Sequence, residues 1–150
     1  MMTLDDIKEK CGGEVKCIQD GLYLIKPPRP SGYFVDYDAW CAGSFGLHTI
    51  AANTPIMPYK QCILSLKNIF GVLEHYYGEP QEVKRLEDGD PVYMTSESPD
   101  TILQYGWKQP GCIKLGKENV YQLFIWICET NQDQGFVRIM YFFDNHKKLV

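Results

Sequence analysis

The sequence predicts an α+β fold in which a mostly antiparallel β-sheet carries one main amphipathic helix, at about residues 59–77, on one face. Two observations lead to this prediction. Short β-prone runs precede and follow the helical segment, and short connections between neighbouring strands favour antiparallel pairing. Within the segment, apolar side chains recur every three or four residues, which is the spacing of a helix with one buried face. These side chains are Ile63, Leu66, Ile69, Phe70, Leu73, Tyr76 and Tyr77.

Length and composition indicate one globular domain spanning residues 1–150. Of the 150 residues, 45% are hydrophobic and 23% are charged, which excludes a disordered or coiled-coil chain. The six cysteines are scattered and form no CxxC pair, so we expect reduced thiols rather than a disulfide framework or a structural zinc site. The net charge of -4 disfavours binding to nucleic acid.

A short helix and a hairpin are expected first. Thr3 and Asp6 have the spacing of a capped helix start, which predicts a helix over about residues 4–11. The β-prone runs at 15–18 and 22–26 flank an Asp-Gly pair, a strong signal for a hairpin turn. We therefore predict that these two runs pair with each other.

A second hairpin is predicted from the alternation in residues 33–42. One face of this strand carries Tyr33, Val35, Tyr37, Ala39 and Cys41. The other carries Phe34, Asp36, Asp38 and Trp40. A four-residue turn at 43–46 would return the chain along residues 47–53 and place Cys41 opposite His48.

The main helix is expected to end at Gly78, because glycine suits a left-handed cap and a proline follows two residues later. A Ser-Pro-Asp sequence then predicts a short helix from residue 98 to near 106. Strands are predicted at 112–115, 120–129 and 136–144. The last two are apolar on both faces, so we expect central strands that are covered on both sides.

Several segments resemble a loose group of small bacterial and prophage-encoded α+β proteins that have no assigned activity. The segments are LIKPPRPSGYFVDY at 24–37, GLHTIAA at 46–52, IFGVLEHYYGEP at 69–80 and YFFDN at 141–145. The resemblance implies the α+β fold. It implies no catalytic residue, since the group has none assigned.

Cys41 and His48 are the one pair with the spacing of a nucleophile and its base, if they face each other across the hairpin. The same register puts both on the core face, so we expect them to be buried and chemically quiet. His75 and His146 are far away in sequence and are expected to be solvated. Three dispersed histidines and no glycine-rich phosphate loop predict no metal and no cofactor.

Function is predicted from a surface, not from a catalytic motif. Exposed aromatics interleaved with acids suit a basic protein partner, and here the residues are Phe34, Asp36, Asp38 and Trp40. We therefore expect a non-catalytic binding protein, of the immunity type or a regulatory partner of a basic protein. The alternatives are a small-molecule-binding domain and, third, a hydrolase or transferase that uses Cys41 and His48.

The cytoplasm is the expected compartment. The first residues are acidic and lack the basic lead and apolar run of a secretory signal. No stretch approaches the ~18 apolar residues of a membrane span. We expect a soluble protein that binds neither nucleic acid nor membranes.

Overall fold

The computed structural model describes residues 3–11, 15–26, 32–43, 46–85, 102–108, 114–115, 118–131, 133–144 and 146. These residues form two helices, α1 (Leu4–Lys10) and α2 (Tyr59–Tyr77). They also form ten strands: β1 (Val15–Gln19), β2 (Leu22–Ile25), β3 (Asp36–Ala42), β4 (Gly46–Asn53), β5 (Met57–Pro58), β6 (Glu82–Arg85), β7 (Ile102–Lys108), β8 (Lys114–Leu115), β9 (Glu118–Asn131) and β10 (Gln134–Phe143).

The sheet runs in the order β1-β2-β3-β4-β10-β9-β7-β6, with β5 paired to β10 and β8 to β9. The neighbouring strands along this path pair antiparallel. The chain therefore has the α+β architecture that the sequence predicts. The two most apolar strands, β9 and β10, pair with each other in the middle of the sheet. No helix in the described part of the chain is long and apolar enough to cross a membrane.

Helix α2 has the predicted bounds, and its cap explains where it ends. Gly78 follows it with φ of 77°, a backbone conformation that glycine adopts without strain, and its carbonyl accepts a 2.9 Å hydrogen bond from Trp107 Nε1. Of the predicted stripe, Leu66 and Leu73 are buried, whereas Phe70 is half-buried and stacks 3.8 Å from the Tyr105 ring. Tyr76 is 71% exposed, so its assignment to the buried stripe is wrong.

Both helices pack on the same face of the sheet. Helix α2 lies over β7, β9 and β10, where the core includes Leu123, Ile125, Val137 and Ile139. Ile7 of α1 belongs to a second cluster over β2, β3 and β4. Tyr37 and Tyr141 contact both clusters and join them into one apolar layer. The described fold is thus a two-layer arrangement, with helices on one side.

The N-terminal elements follow their local signals. Thr3 and Asp6 form the predicted capping box, in which each side chain bonds the backbone N–H of the other. Gly21 closes the β1–β2 hairpin with φ of 80°, and a Cβ on it would lie 2.9 Å from the Cys41 carbonyl oxygen. Glycine is required there both by the turn and by the close approach of β3.

The helix predicted from residue 98 to near 106 is wrong over its described part, because residues 102–108 form strand β7. The side chains of Tyr105 and Trp107 both point to the side of the sheet that the helices cover, and both are buried. Gly106 points the other way, where a Cβ would lie 2.6 Å from the Phe124 ring. The helix-start signal at residues 98–100 lies outside the described residues. Over residues 102–108, the alternation of side chains is a better indicator of the observed strand than that signal is of a helix.

Replacing Leu66 by alanine is expected to lower the free energy of unfolding by about 2–5 kcal/mol, because the side chain is 1% exposed in the core under α2. Leu64 lies on the same helix but is 60% exposed, so Leu64→Ala is the matched control and should change stability by about 0.5 kcal/mol or less. Urea unfolding measures both. Equal losses in the two variants would contradict the placement of the helix.

Candidate functional site: the open face of the sheet

The side of the sheet away from both helices is the candidate functional surface, and we call it the open face. The register of the central strands assigns side chains to it, because alternate residues point to opposite sides. Seven large apolar side chains on it are half-buried: Leu22, Leu24, Trp40, Phe124, Trp126, Met140 and Phe142. The described helices cover one side of β9 and β10, and the expectation that these strands are covered on the second side as well stays a prediction.

Three of the four predicted binding residues lie on the open face. Asp36, Asp38 and Trp40 alternate along β3 and pair with β4 residues. Phe34 does not join them, because regular strand structure begins only at Asp36. Its ring lies 6.2 Å from the Tyr37 ring, edge to face, and packs against the core on the helix side. The alternation in the sequence starts earlier than the strand does.

A polar network crosses the open face from β3 to β10. Asn53, 7% exposed, donates from Nδ2 to Asp38 Oδ2 at 3.1 Å. Its Oδ1 accepts from Arg138 Nε at 2.7 Å. The guanidinium lies 3.8 Å from Asp38 Oδ2 and 5.5 Å from the centre of the Phe136 ring. Because each partner fixes the next, the Arg138 side chain is held in one position above the sheet.

Sequence reasoning missed Asn53 and Arg138. A signal for Arg138 was present, because it is the only charged residue within the apolar run from Phe136 to Phe143. Arg138 reaches its partner Asp38 on β3 across strand β4, which lies between β3 and β10. The sequence does not reveal that strand order. A lone cation in a central strand must find such a partner or stay exposed.

A pocket of about 420 Å³ opens at the end of this network. Its lining includes Val35, Asp36, Asn53, Thr54, Pro55, Ile56, Phe136 and Arg138. Val35 and Ile56 are 58% and 61% exposed, so the pocket presents two large aliphatic side chains to solvent. Asp36 is exposed, and it brings a carboxylate to the rim.

The predicted pairing of Cys41 with His48 is wrong by one residue. A bulge after Trp40 places Leu47 opposite Cys41 and leaves His48 as the extra residue of β4. Cys41 packs against the core cluster beneath α1, and burial raises the pKa of its thiol. The register therefore does not supply the base that a nucleophilic cysteine needs.

His48 instead meets His146, which was expected to be solvated. The two ring centres are 5.7 Å apart. His48 Nδ1 lies 2.8 Å from Thr49 Oγ1, and His146 Nδ1 lies 2.6 Å from Tyr121 Oη. Burial lowers the pKa of both imidazoles, and for His48 the neighbouring His146 lowers it further.

Two bulges create this cluster. Tyr121 is the extra residue of β9, because Phe142 pairs with Gln122 while Phe143 pairs with Val120. His48 is the corresponding extra residue of β4. In the described part of the chain, no group of three or more His, Cys, Asp or Glu side chains is arranged to hold a metal ion.

Comparison of the chain with protein-family models, with curated proteins and with solved structures finds no match.

Iodoacetamide is expected to modify Cys17, which is exposed, well before Cys41 in the native protein. Burial keeps Cys41 in the unreactive thiol form, since the thiolate is the nucleophile. After denaturation both should react alike, as mass spectrometry of the labelled peptides would show. Rapid native labelling of Cys41 that disappears in His48→Ala would contradict this and restore the catalytic interpretation.

Acid is expected to destabilise the fold through the two histidines. An imidazole with a lowered pKa binds its proton more weakly in the folded chain, so protonation favours unfolding. The stability that the two neutral imidazoles contribute is fully present above their unfolded pKa of about 6.5. It is lost as the pH falls from there through the lowered pKa of the folded state.

Urea unfolding between neutral pH and about pH 5 measures this loss, which should be smaller in His146→Gln than in the wild type. His75, exposed on α2, offers the matched control, and His75→Gln should keep the wild-type profile. Identical profiles for all three proteins would show that the histidine pair is not buried as described.

Proposed function

We propose that this chain is a non-catalytic binding protein whose open face docks a basic protein partner. The observation that carries the proposal is the half-buried aromatic and apolar surface on the side of the sheet that neither helix covers. Aromatic residues dominate the energetics of protein interfaces, and a cluster of them that keeps part of its surface accessible favours an interaction surface. Trp40, Phe124 and Trp126 are the central candidates.

Charge around the pocket favours a basic partner over an acidic one. On β3, β4 and β10 the open face carries two carboxylates, Asp36 and Asp38, against one guanidinium, Arg138, while Lys16 falls on the same face at the β1 edge of the sheet. Arg138 is already engaged by Asn53 and lies close to Asp38, whereas Asp36 is exposed. The whole chain adds a net charge of -4, which steers a cationic protein toward it.

The pocket supplies a place for one side chain of that partner. A lysine or arginine has an apolar stem and a charged end. In the pocket, Val35 and Ile56 offer apolar walls and Asp36 offers a carboxylate at the rim. An interface of this kind combines an apolar anchor with a charge pair that fixes its register.

Photo-crosslinking tests the proposal without knowledge of the partner. A benzophenone amino acid placed at Trp40 is expected to capture a basic protein in the source cell. The same group at Tyr76, which is 71% exposed on α2, is the matched control and should not capture that protein. Adducts common to both positions, or an acidic protein captured through Trp40, would overturn the proposal.

Binding of the captured protein should then weaken in Asp36→Lys, because the carboxylate at the rim becomes a cation. Glu74→Lys makes the same charge change on the exposed side of α2 and should retain most of the affinity. Association should also slow as salt rises. Asp36 is preferred to Asp38 for this test, since Asp38 also positions Asn53.

A small-molecule-binding domain is the second candidate, favoured by the size of the pocket. Its volume of about 420 Å³ lies within the usual range for small-ligand sites. A ligand there would protect the wild type against heat and protect Asp36→Lys less. In that case the Trp40 crosslinker should capture no protein, which separates the two candidates.

A further inference from the structure

The proposed function assigns no partner contact to His48, His146 or Tyr121, which cluster at one end of the sheet where the Phe142 ring of the open face lies 4.8 Å from the His146 ring. It is built by two bulges on different strands, which turn His48 of β4 and Tyr121 of β9 toward the same C-terminal histidine. Bulges often re-aim side chains next to functional sites. Two imidazoles that are far apart in the sequence are thereby placed as neighbours.

Each imidazole has one nitrogen occupied by an oxygen. His48 Nδ1 lies 2.8 Å from Thr49 Oγ1, and His146 Nδ1 lies 2.6 Å from Tyr121 Oη. When each Nδ1–H donates to its oxygen, the lone pair of each ring is on Nε2. This is how metal-binding histidines are held in proteins, with one nitrogen oriented by a hydrogen bond and the other on the ion.

The separation of the rings suits a shared ion. Two imidazoles that bind one tetrahedral ion through Nε2, each at about 2.0–2.1 Å, have ring centres on the order of 5 Å apart. The observed 5.7 Å, with the two ring planes at 42° to each other, is near that value. The ring of Phe142 lies 4.8 Å from that of His146 and limits other movements of it.

We propose that His48 and His146 bind one divalent transition-metal ion of the kind that prefers imidazole, such as Zn²⁺. Water completes the coordination, since two protein ligands leave positions open. Mg²⁺ and Ca²⁺ are excluded as occupants, because they prefer oxygen ligands. Tyr121 and Thr49 are positioning residues that orient the rings. The bound ion links residue 146 to the start of β4 at one end of the sheet.

Zinc titration followed by NMR of the imidazole protons tests the site in the full chain. The chain has three histidines, and His75, exposed on α2, serves as an internal control. The signals of His48 and His146 should shift together at one equivalent of Zn²⁺, while the His75 signal stays in place. Because the measurement follows each histidine separately, it distinguishes zinc bound at this pair from zinc bound by a thiol elsewhere.

Two variants separate binding from folding. In His48→Ala the zinc-dependent shift of His146 should require at least about tenfold more Zn²⁺, because one ligand is lost. Tyr121→Phe keeps the aromatic ring and both ligands, and loss of the orienting oxygen should weaken binding by about 10-fold or more. Should His48→Ala fail to fold, the wild-type titration and Tyr121→Phe still decide.

The proposal is overturned if excess Zn²⁺ leaves the His48 and His146 signals unchanged. It is overturned equally if His75 shifts over the same range, or if His48→Ala binds as the wild type does. Added Mg²⁺ should move none of the three signals.

Discussion

The packing of α2 on the paired strands β9 and β10 is the contact on which the rest of the structure depends. Leu66 and Leu73 of the helix belong to the same buried cluster as Leu123, Ile125 and Ile139 of those strands. Helix α1 covers the neighbouring strands on the same side, and Tyr37 and Tyr141 join the two halves of the core. With both helices on one side, the alternate residues of the central strands are left to the open face. The candidate binding surface is thus a consequence of where the helices pack.

The open face is not uniform, and its two ends differ in chemistry. At one end, Asp38, Asn53 and Arg138 bond across three strands beside a pocket with exposed aliphatic walls. At the other end, two bulges gather His48 and Tyr121 around His146. A regular ladder would have placed His48 opposite Cys41. The histidine cluster lies where the strand pairing is irregular, whereas Asp38, Asn53 and Arg138 lie in regularly paired stretches.

Local patterns predicted much of the fold. The bounds of α2 follow from its apolar spacing and from Gly78, and the face of Asp36, Asp38 and Trp40 follows from strand alternation. The predictions that failed all depend on contacts between residues that are far apart in the sequence. A bulge shifts the register by one residue, which the sequence around Cys41 does not reveal. Similarly, Arg138 and His146 acquire their roles from strands far away in the chain, so their partners were not predictable from spacing.

Acrylamide quenching of tryptophan fluorescence tests most directly whether both helices share one side of the sheet. The chain has three tryptophans, and three variants that each keep one of them, with phenylalanine at the other two positions, report on both sides. Trp107 is 1% exposed on the helix side, whereas Trp40 and Trp126 are half-buried on the open face. The account predicts strong quenching of Trp40 and Trp126 and little quenching of Trp107. Quenching of Trp107 as strong as that of the other two, or protection of all three, would contradict it.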